Sequence, residues 1–160
     1  MNDTYRIRPA QLDDSAEIAR LAGELGYPGT AREIRSNLES LLESSKCFVA
    51  VASGEGKLLY GWMAVERRMS LESGEQAELT GLVVTASARR TGIGKALVSS
   101  AEQWAARQGF RAIRVRSNIA RAESHPFYER LGYLRKKTQH NYEKPLLAAV
   151  QPCAQPDAAR

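Results

Sequence analysis

Helical and extended patterns alternate in the first third of the chain. "YRIRPA" alternates polar and apolar residues, which predicts a first strand over Tyr5–Arg8. "DDSAEIARLAGELG" then carries apolar residues at helical spacing, and Asp13 or Asp14 can cap that helix. Thr30 and Glu33 have the spacing of a capping box and predict a second helix. The residues of this second helix expected to face inward are Ile34, Leu38, Leu41 and Leu42.

Extended patterns dominate the middle of the chain. "KCFVAVAS" and "LLYGWMAVERRMSLE" predict two strands on either side of a turn at residues 54–56. Ser73 and Gly74 turn the chain back into "EQAELTGLVVT", so the long strand and this one are expected to form an antiparallel hairpin. A helix follows from Gly94 and stops at Gly109. Its apolar face is predicted to contain Leu97, Ala101, Trp104 and Ala105.

The last third predicts three further strands and a short helix. "AIRVRSN" is a strand pattern, "RAESHPFYERLG" a short helix around Pro126, and "YLRKKTQHNYEKPL" two closing strands. The order β-α-α-β-β-β-α-β-α-β-β is an α+β arrangement with a mixed sheet. Residues 1–146 are expected to form a single domain. Residues 147–160 are rich in Ala, Gln and Pro and are predicted to be a poorly ordered tail.

Composition narrows the class of protein. The chain has 160 residues, 43% of them hydrophobic and 26% charged, as in a soluble globular domain. The sequence contains no apolar run of membrane-spanning length and no apolar segment near the N-terminus, so a cytoplasmic location without membrane contact is expected. The two cysteines form no metal motif, and no metal is expected. The net charge of +5 suits a phosphorylated ligand. Because the basic clusters lie on different predicted elements, no nucleic-acid partner is expected.

The stretch "ARRTGIGKAL" raises the question of a phosphate site. Neither of two nucleotide motifs is present, because Arg89 stands where a Walker A loop needs glycine and Leu97 where the dinucleotide fingerprint does. The physical features of a phosphate site remain. Gly92 and Gly94 leave backbone N–H groups unobstructed at the start of a helix, where unpaired donors and the positive end of the dipole coincide. Solvent-exposed arginines beside an ordinary helix start are the alternative interpretation.

The flanking segments resolve this alternative. Arg89 to Gly94 matches the acyl-CoA signature Arg/Gln-x-x-Gly-x-Gly/Ala of the GNAT superfamily of N-acetyltransferases, and the chain resembles that family from about residue 5 to residue 145. "AELTGLVVTASA" is similar to its fourth strand, and "SNIARAESHPFYERLGY" to its fifth strand and following helix. The resemblance implies a mixed, mostly antiparallel sheet of about seven strands, splayed at the fourth and fifth and flanked by about four helices.

The resemblance also implies acetyl-CoA as co-substrate. In such proteins the pantetheine arm lies between the two splayed strands, here Gln76–Val84 and Ala112–Asn118, and the pyrophosphate binds the glycine loop. Because the loop would bind through its backbone, changes at Thr91 or Ile93 are expected to matter less than changes at the two glycines. The expected cofactor-binding residues are Leu82, Val83, Val84, Arg89, Arg90, Thr91, Gly92, Ile93, Gly94, Lys95 and Asn118.

Two residues are candidates for the proton transfers. An alkyl amine must lose a proton before it attacks a thioester, and the departing thiolate leaves more readily when it is protonated. Tyr128 occupies the place of the family's general acid. Glu78 occupies the place where some members have a catalytic glutamate. The alternatives for Glu78 are a solvated carboxylate, a binding site for a cationic substrate, or a water chain that does the work instead.

The acceptor is less clear from the sequence. The resemblance places its site between the first two helices and the last two strands, where Tyr27, Arg32 and Tyr142 could line it. The expected function is acetyl transfer to a primary amine of a small molecule. The alternatives are acetylation of a protein or peptide and a non-catalytic acyl-CoA-binding domain. By analogy with the family, the protein could form a homodimer. Two sets of charges point to opposite acceptors: Arg32, Arg35, Lys136 and Lys137 suit an anionic one, and Glu66, Glu72, Glu75 and Glu78 a cationic one.

Overall fold

A single five-stranded sheet organises the chain. The computed structural model describes residues 4–146, and the tail at 147–160 lies outside the described residues. The strands are β1 (Arg6–Pro9), β2 (Cys47–Ser53), β3 (Leu59–Ser70), β4 (Gly74–Val84) and β5 (Ile113–Val115). The helices are α1 (Ser15–Glu24), α2 (Ala31–Glu43), α3 (Ile93–Arg107) and α4 (Ser124–Arg130). The sheet has the order β1-β2-β3-β4-β5, with β5 parallel to β4 and the other pairs antiparallel.

The α+β fold, the mixed sheet and the four helices confirm the predictions, but the strand count does not. Five strands replace the predicted seven among the described residues, because residues 134–146 contain no strand. The large apolar side chains of this segment, Leu134, Tyr142 and Leu146, are all exposed. A strand becomes stable by packing one face, and this segment has no apolar face to pack.

The two faces of the sheet are covered by different helices. On one face α3 packs against Met63, Val65 and Leu79 through Leu97 and other buried residues. On the other face α1 and α2 cover a second core that includes Val51 and Val83. The alternation of side chains along each strand, which sends neighbours to opposite faces, produces these two cores.

The ends of the first two helices show which sequence predictions were correct. Thr30 and Glu33 form the predicted capping box, with the Glu33 N–H donating to the Thr30 hydroxyl at 3.2 Å. Asp14 stands at the N-cap of α1, but its carboxylate instead accepts two hydrogen bonds from Arg8, each 2.8 Å long. The prediction that Leu42 faces inward was wrong, since Leu42 is 41% exposed. It lies about 100° around the helix from Leu41, which packs on the second core.

A β-bulge at Thr80 redirects the second half of β4. Ala64 pairs with Gly81 and Val65 with Leu79, so Thr80 is the extra residue. Before the bulge, Leu79 packs toward α3; after it, Leu82 packs toward α3 and Val83 toward α1 and α2. Odd-numbered residues therefore face α3 before the bulge, and even-numbered residues face α3 after it. In residues 4–146, no helix has the length and apolarity that crossing a lipid bilayer demands.

Candidate functional site

The sheet opens where the bulge lies. β4 and β5 pair only through Ala77, Glu78 and Leu79, opposite Ile113, Arg114 and Val115. Beyond this point β5 ends, while β4 continues to Val84 and stays paired with β3 on its other side. Among the described residues, no strand covers the β5-side edge of residues 80–84. A strand edge of this kind offers backbone donors and acceptors to a ligand.

Strand β5, which lies beside the opening, is shorter than the sequence predicted. β5 ends at Val115, so Asn118 lies in the following loop rather than at the strand end. Its side-chain oxygen accepts a hydrogen bond from the Ala120 N–H at 2.9 Å and closes a turn there. Asn118 therefore has a structural contact in this loop, and its predicted contact with the cofactor stays a prediction.

One turn separates the open edge of β4 from the glycine loop. Arg90 has φ +63° and Gly92 has φ +90°, so two residues of this loop adopt left-handed backbone conformations. In α3 the Ala96 N–H donates to the Gly92 carbonyl at 3.0 Å. Among the described residues, the N–H groups of residues 90–95 therefore have no backbone acceptor. They form a row of donors at the positive end of a helix of 15 residues.

The side chains of this loop divide into exposed and buried ones. Arg89, Arg90 and Lys95 are exposed, and Arg89 lies 4.0 Å from the carboxylate of Glu123. The Thr91 hydroxyl donates to the Ala88 carbonyl at 2.6 Å. Ile93 is 3% exposed and belongs to the core beneath α3, so substitutions of its side chain act on the stability of the fold. Ile93→Ala would cost about 2–5 kcal/mol of folding stability.

Gly94 lies where three elements converge. A Cβ on Gly94 would lie 3.3 Å from two ring carbons of Phe127 in α4 and 3.7 Å from Val84 at the end of β4. The missing side chain therefore lets α3, α4 and the open strand approach one another. Phe127 was part of the sequence resemblance, but no position in the sequence indicated that it packs against this glycine.

Tyr128 follows Phe127 and lies in an aromatic cluster. Its ring packs edge-on against Phe127 at 5.1 Å and against Tyr133 at 5.6 Å between centroids. The Tyr133 hydroxyl donates to Glu102 of α3 at 3.0 Å, which ties the cluster to that helix. Burial raises the pKa of Tyr128 to about 12, and the nearby charge of Arg121 opposes this increase. The phenol is therefore protonated throughout the neutral range.

Glu78 lies on the opposite face of the sheet, within a network of charges. Its side chain is 10% exposed, and its Oε1 atom contacts Arg68 at 2.9 Å and Arg116 at 3.4 Å. Arg68 also contacts Glu66 at 3.3 Å. Arg114 pairs in register with Glu78 in a parallel ladder, so it belongs to the same face. The sequence did not predict the two arginine partners, because they become neighbours only through the register of three strands.

The expected acceptor residues do not come together into one site. Tyr27 is 60% exposed, in the loop between α1 and α2, and the guanidinium of Arg121 lies 5.5 Å from the centre of its ring. Arg32, Lys136, Lys137 and Tyr142 are exposed, and Arg35 contacts Asp13 at 3.8 Å. Of the hairpin glutamates, Glu66 and Glu78 pair with Arg68, and Glu75 with Arg67 at 3.4 Å. The acidic set is thus largely neutralised by its own neighbours.

Surface concavities of the described residues lie away from the glycine loop. One concavity of about 510 Å³ lies between α1 and α2 and includes Tyr27 and Ile34; one of about 220 Å³ lies near Phe110 at the far end of the hairpin. Neither includes the glycine loop or Tyr128. Within residues 4–146, no group of three or more His, Cys, Asp or Glu is placed to hold a metal ion.

Comparison with known proteins agrees with this geometry. The model of the acetyltransferase (GNAT) family matches residues 15–133. The chain is 30% identical over 154 residues to an aminoglycoside N(6')-acetyltransferase type 1 from Klebsiella aerogenes, an alignment that covers 91% of this chain and 100% of that protein.

Solved structures show the same fold. The aminoglycoside N-acetyltransferase AAC(6')-Iy in complex with CoA superposes with a TM-score of 0.80 at 17% identity, over 91% of this chain and 98% of that one. Glucosamine-6-phosphate N-acetyltransferase from Arabidopsis thaliana superposes with a TM-score of 0.76 at 20% identity, over 88% and 98% of the two chains. Because the family model matches residues 15–133 and the Klebsiella protein aligns over its whole length, the chain belongs to the GNAT family and is an acetyltransferase.

Proposed function

We propose that this protein transfers the acetyl group of acetyl-CoA directly to a primary amine of a small molecule. The observation that carries the proposal is the continuity of the open β4 edge with the glycine loop. An unpaired strand edge of five residues leads through one turn to a row of N–H donors at a helix start. An extended diamide arm that ends in a pyrophosphate would bind along this path.

The residues present suit such a ligand. Backbone groups of Leu82 and Val84 on the open edge would pair with the amides of the pantetheine arm. The N–H groups from Arg90 to Lys95 would bind the pyrophosphate, and three exposed cationic side chains nearby, Arg89, Arg90 and Lys95, would add charge. When bound, acetyl-CoA would supply the acetyl group as an activated thioester.

Tyr128 would act at the sulfur side of the reaction as a hydrogen-bond donor. A thiol similar to cysteine has a pKa of about 8.5, whereas burial raises the pKa of Tyr128 to about 12. Complete proton transfer from the phenol to such a thiolate is uphill by about 5 kcal/mol. The O–H of Tyr128 would therefore donate a hydrogen bond that stabilises the charge developing on sulfur. If partial burial at the site also raises the pKa of the thiol, transfer of the proton to sulfur becomes less uphill.

Glu78 would act on the amine side. Its Oε1 atom is held by Arg68 and Arg116, so an approaching ammonium or a bridging water would have to use Oε2. The two guanidiniums fix the orientation of the carboxylate in the sheet. This arrangement suits a group that orients the amine or the water that receives its proton.

The acceptor class follows from the relatives and from the local charges. The relative of full length is by its name an aminoglycoside acetyltransferase, and the Arabidopsis neighbour acts by its name on glucosamine 6-phosphate. Both acceptors are amino sugars, one polycationic and one carrying a phosphate. Around Glu78, three arginines face two glutamates, so this face does not favour a polycation by charge alone. An amine on a sugar ring is therefore the first class to test.

The experiment is an acceptor screen that records CoA release with acetyl-CoA as donor. The panel contains neamine-type aminoglycosides, glucosamine and its 6-phosphate, polyamines, amino acids and lysine-containing peptides. Turnover with an amino sugar well above the rate with peptides supports the proposal. Turnover with peptides alone would point to protein acetylation, and acetyl-CoA binding without any turnover would point to a sensing domain; either result contradicts it.

A further inference from the structure

Glu24 connects the first helix to the path proposed for acetyl-CoA. It is the last residue of α1, and its carboxylate lies against the turn that follows β4. Its Oε1 atom accepts a hydrogen bond from the Thr85 hydroxyl at 2.9 Å, and its Oε2 atom accepts one from the Ala86 N–H at 3.1 Å. Arg20, one turn earlier in α1, donates to the same carboxylate at 2.9 Å.

The position of this carboxylate is unfavourable for the helix itself. The C-terminal end of a helix carries the negative end of the dipole, which disfavours an acidic side chain there. The interactions with Thr85 and Ala86 offset this cost, since the carboxylate caps the N-terminal end of the short 3-10 turn at Ala86–Ala88. Glu24 therefore stabilises the turn after β4 in addition to pairing with Arg20 in its own helix.

A chain of hydrogen bonds leads from Glu24 to the glycine loop. Thr85 is 8% exposed, and its own N–H donates to the Tyr60 carbonyl at 2.8 Å. The Ala88 N–H donates to the Thr85 carbonyl at 3.0 Å, and the Thr91 hydroxyl donates to the Ala88 carbonyl at 2.6 Å. Thr91 stands between the two left-handed residues of the loop. Each connection is short, so a displacement of Thr85 would reach the loop directly.

We propose that Glu24 is a positioning residue for acetyl-CoA, which fixes the turn at Thr85 and Ala86 and thereby the donor geometry of the glycine loop. The inference rests on the proposed function, because it assumes that the loop binds the pyrophosphate. Glu24 makes no contact with the substrate in this scheme. It acts through the turn.

Glu17 provides a matched control on the same helix. It also accepts hydrogen bonds from Arg20 at 2.9 Å and from a backbone N–H, that of Leu59 at 3.1 Å. Its contacts end at the start of β3 and do not reach the turn after β4. Glu17→Gln and Glu24→Gln therefore disturb the same arginine and a comparable backbone contact, and differ in whether the glycine loop is affected.

The experiment measures CoA affinity by titration calorimetry with the full chain, alongside the thermal midpoint of each variant. Glu24→Gln is expected to weaken CoA binding roughly tenfold, as for loss of a charge-assisted hydrogen bond, with Glu17→Gln within twofold of wild type at a similar thermal midpoint. With an acceptor from the screen, KM for acetyl-CoA should rise in Glu24→Gln and kcat should not change.

Thr85→Val tests the route from Glu24 to the loop. Removal of the hydroxyl should weaken CoA binding a few-fold in wild type and have no further effect in Glu24→Gln, because the two changes break the same contact. This variant also keeps the inference testable where Glu24→Gln does not fold. Equal losses in Glu17→Gln and Glu24→Gln, or additive losses with Thr85→Val, would overturn the positioning role. Failure of the wild-type protein to bind CoA would refute the proposed function as well.

Discussion

The two sides of the opening between β4 and β5 are built in different ways. On the α3 side the functional groups are backbone N–H donors, glycines and a half-buried tyrosine, held by a core that includes Ile93 and Leu97. On the α1 and α2 side they are charged side chains and an exposed loop around Tyr27. Backbone donors need a fixed chain path and so depend on core packing. Side chains on exposed loops can change without disturbing the fold.

This difference teaches where variation among acceptors can arise. The side proposed to bind acetyl-CoA is tied to the core at Gly94, Phe127 and Val84. The side proposed to bind the amine has its main contacts at the surface, where Arg121 stacks on Tyr27. Substitutions on the first side should therefore affect folding and donor binding together, and substitutions in the exposed loop of the second side should affect the choice of acceptor alone.

The largest expected effect comes from Gly94→Val. The Cβ alone would lie 3.3 Å from the Phe127 ring, and valine would add two methyl groups to this tight contact. The first turn of α3 would move away from β4, and CoA affinity should fall by about 10²-fold or more, as is common when binding groups move by about 1 Å. Titration calorimetry with CoA measures this.

Gly23→Ala is the control for Gly94→Val. Gly23 lies in α1, and an added Cβ would meet no atom within 4 Å. Alanine there should leave CoA binding unchanged and stabilise the helix by about 0.5–1 kcal/mol. Normal CoA affinity in Gly94→Val would mean that the loop is not the phosphate site.

The second-largest effect is expected from Tyr128→Phe, which removes the phenol O–H and leaves the aromatic packing. We expect kcat to fall by about 10²-fold, the low end of the range for loss of one hydrogen-bond donor to the charge that develops in the transition state. Because the pKa of Tyr128 is raised to about 12, the phenol is protonated over the whole assay range. The loss should therefore be the same from about pH 6 to about pH 9. The measurement is the pH profile of kcat for both proteins.

Tyr133→Phe controls for the aromatic cluster. Its hydroxyl donates to Glu102, a contact that supports α3 rather than the cleft. The variant should lose stability, by about 1 kcal/mol for one hydrogen bond, and retain kcat. If Tyr133→Phe reduced kcat as much as Tyr128→Phe, the cluster would act through packing and the assigned role of Tyr128 would be wrong.

Much of the fold could be predicted because its signals are local. The hairpin of β3 and β4 has long alternating strands around Ser73 and Gly74, and Thr30 with Glu33 marks the start of α2. The glycine loop was identified from spacing and resemblance together. In each case the residues that determine the structure lie within a few positions of one another.

The features that were missed depend on contacts between distant segments. No residue type marks the bulge at Thr80, since threonine is an ordinary strand residue. The pairing of Glu78 with Arg116 follows from the parallel register of β4 and β5, two strands that are separated in sequence by α3. The two closing strands were predicted in a segment that has no apolar face to pack, and that prediction was wrong.

A smaller effect is expected from Glu78→Gln. The change keeps the shape of the side chain but leaves Arg68 and Arg116 without their shared counter-charge. The two arginines are partly exposed, so the loss of stability should be about 1–2 kcal/mol rather than the value for a fully buried pair. We expect kcat to fall roughly tenfold, measured at saturating acetyl-CoA and amine.

Glu66→Gln separates the charge network from the chemistry. Glu66 contacts the same Arg68 at 3.3 Å and pairs in register with Glu78, but it lies on β3, one strand further from the opening. It should lower the thermal midpoint slightly without changing kcat. Equal losses of kcat in the two variants would show that Glu78 serves the ion network and not the amine.

The smallest effect is expected from Arg121→Ala, which removes the contact with the Tyr27 ring. A cation–π contact at an exposed site contributes about 0.5–1 kcal/mol, so KM for the amine should rise by about two- to fivefold with no change in CoA affinity. Arg67→Ala removes a similar contact, 5.3 Å from the Phe110 ring, at the end of α3 far from the glycine loop. It should affect stability and leave both constants unchanged. A rise in the CoA dissociation constant in Arg121→Ala would mean that Arg121 belongs to the donor side, and that the two sides of the opening are not independent.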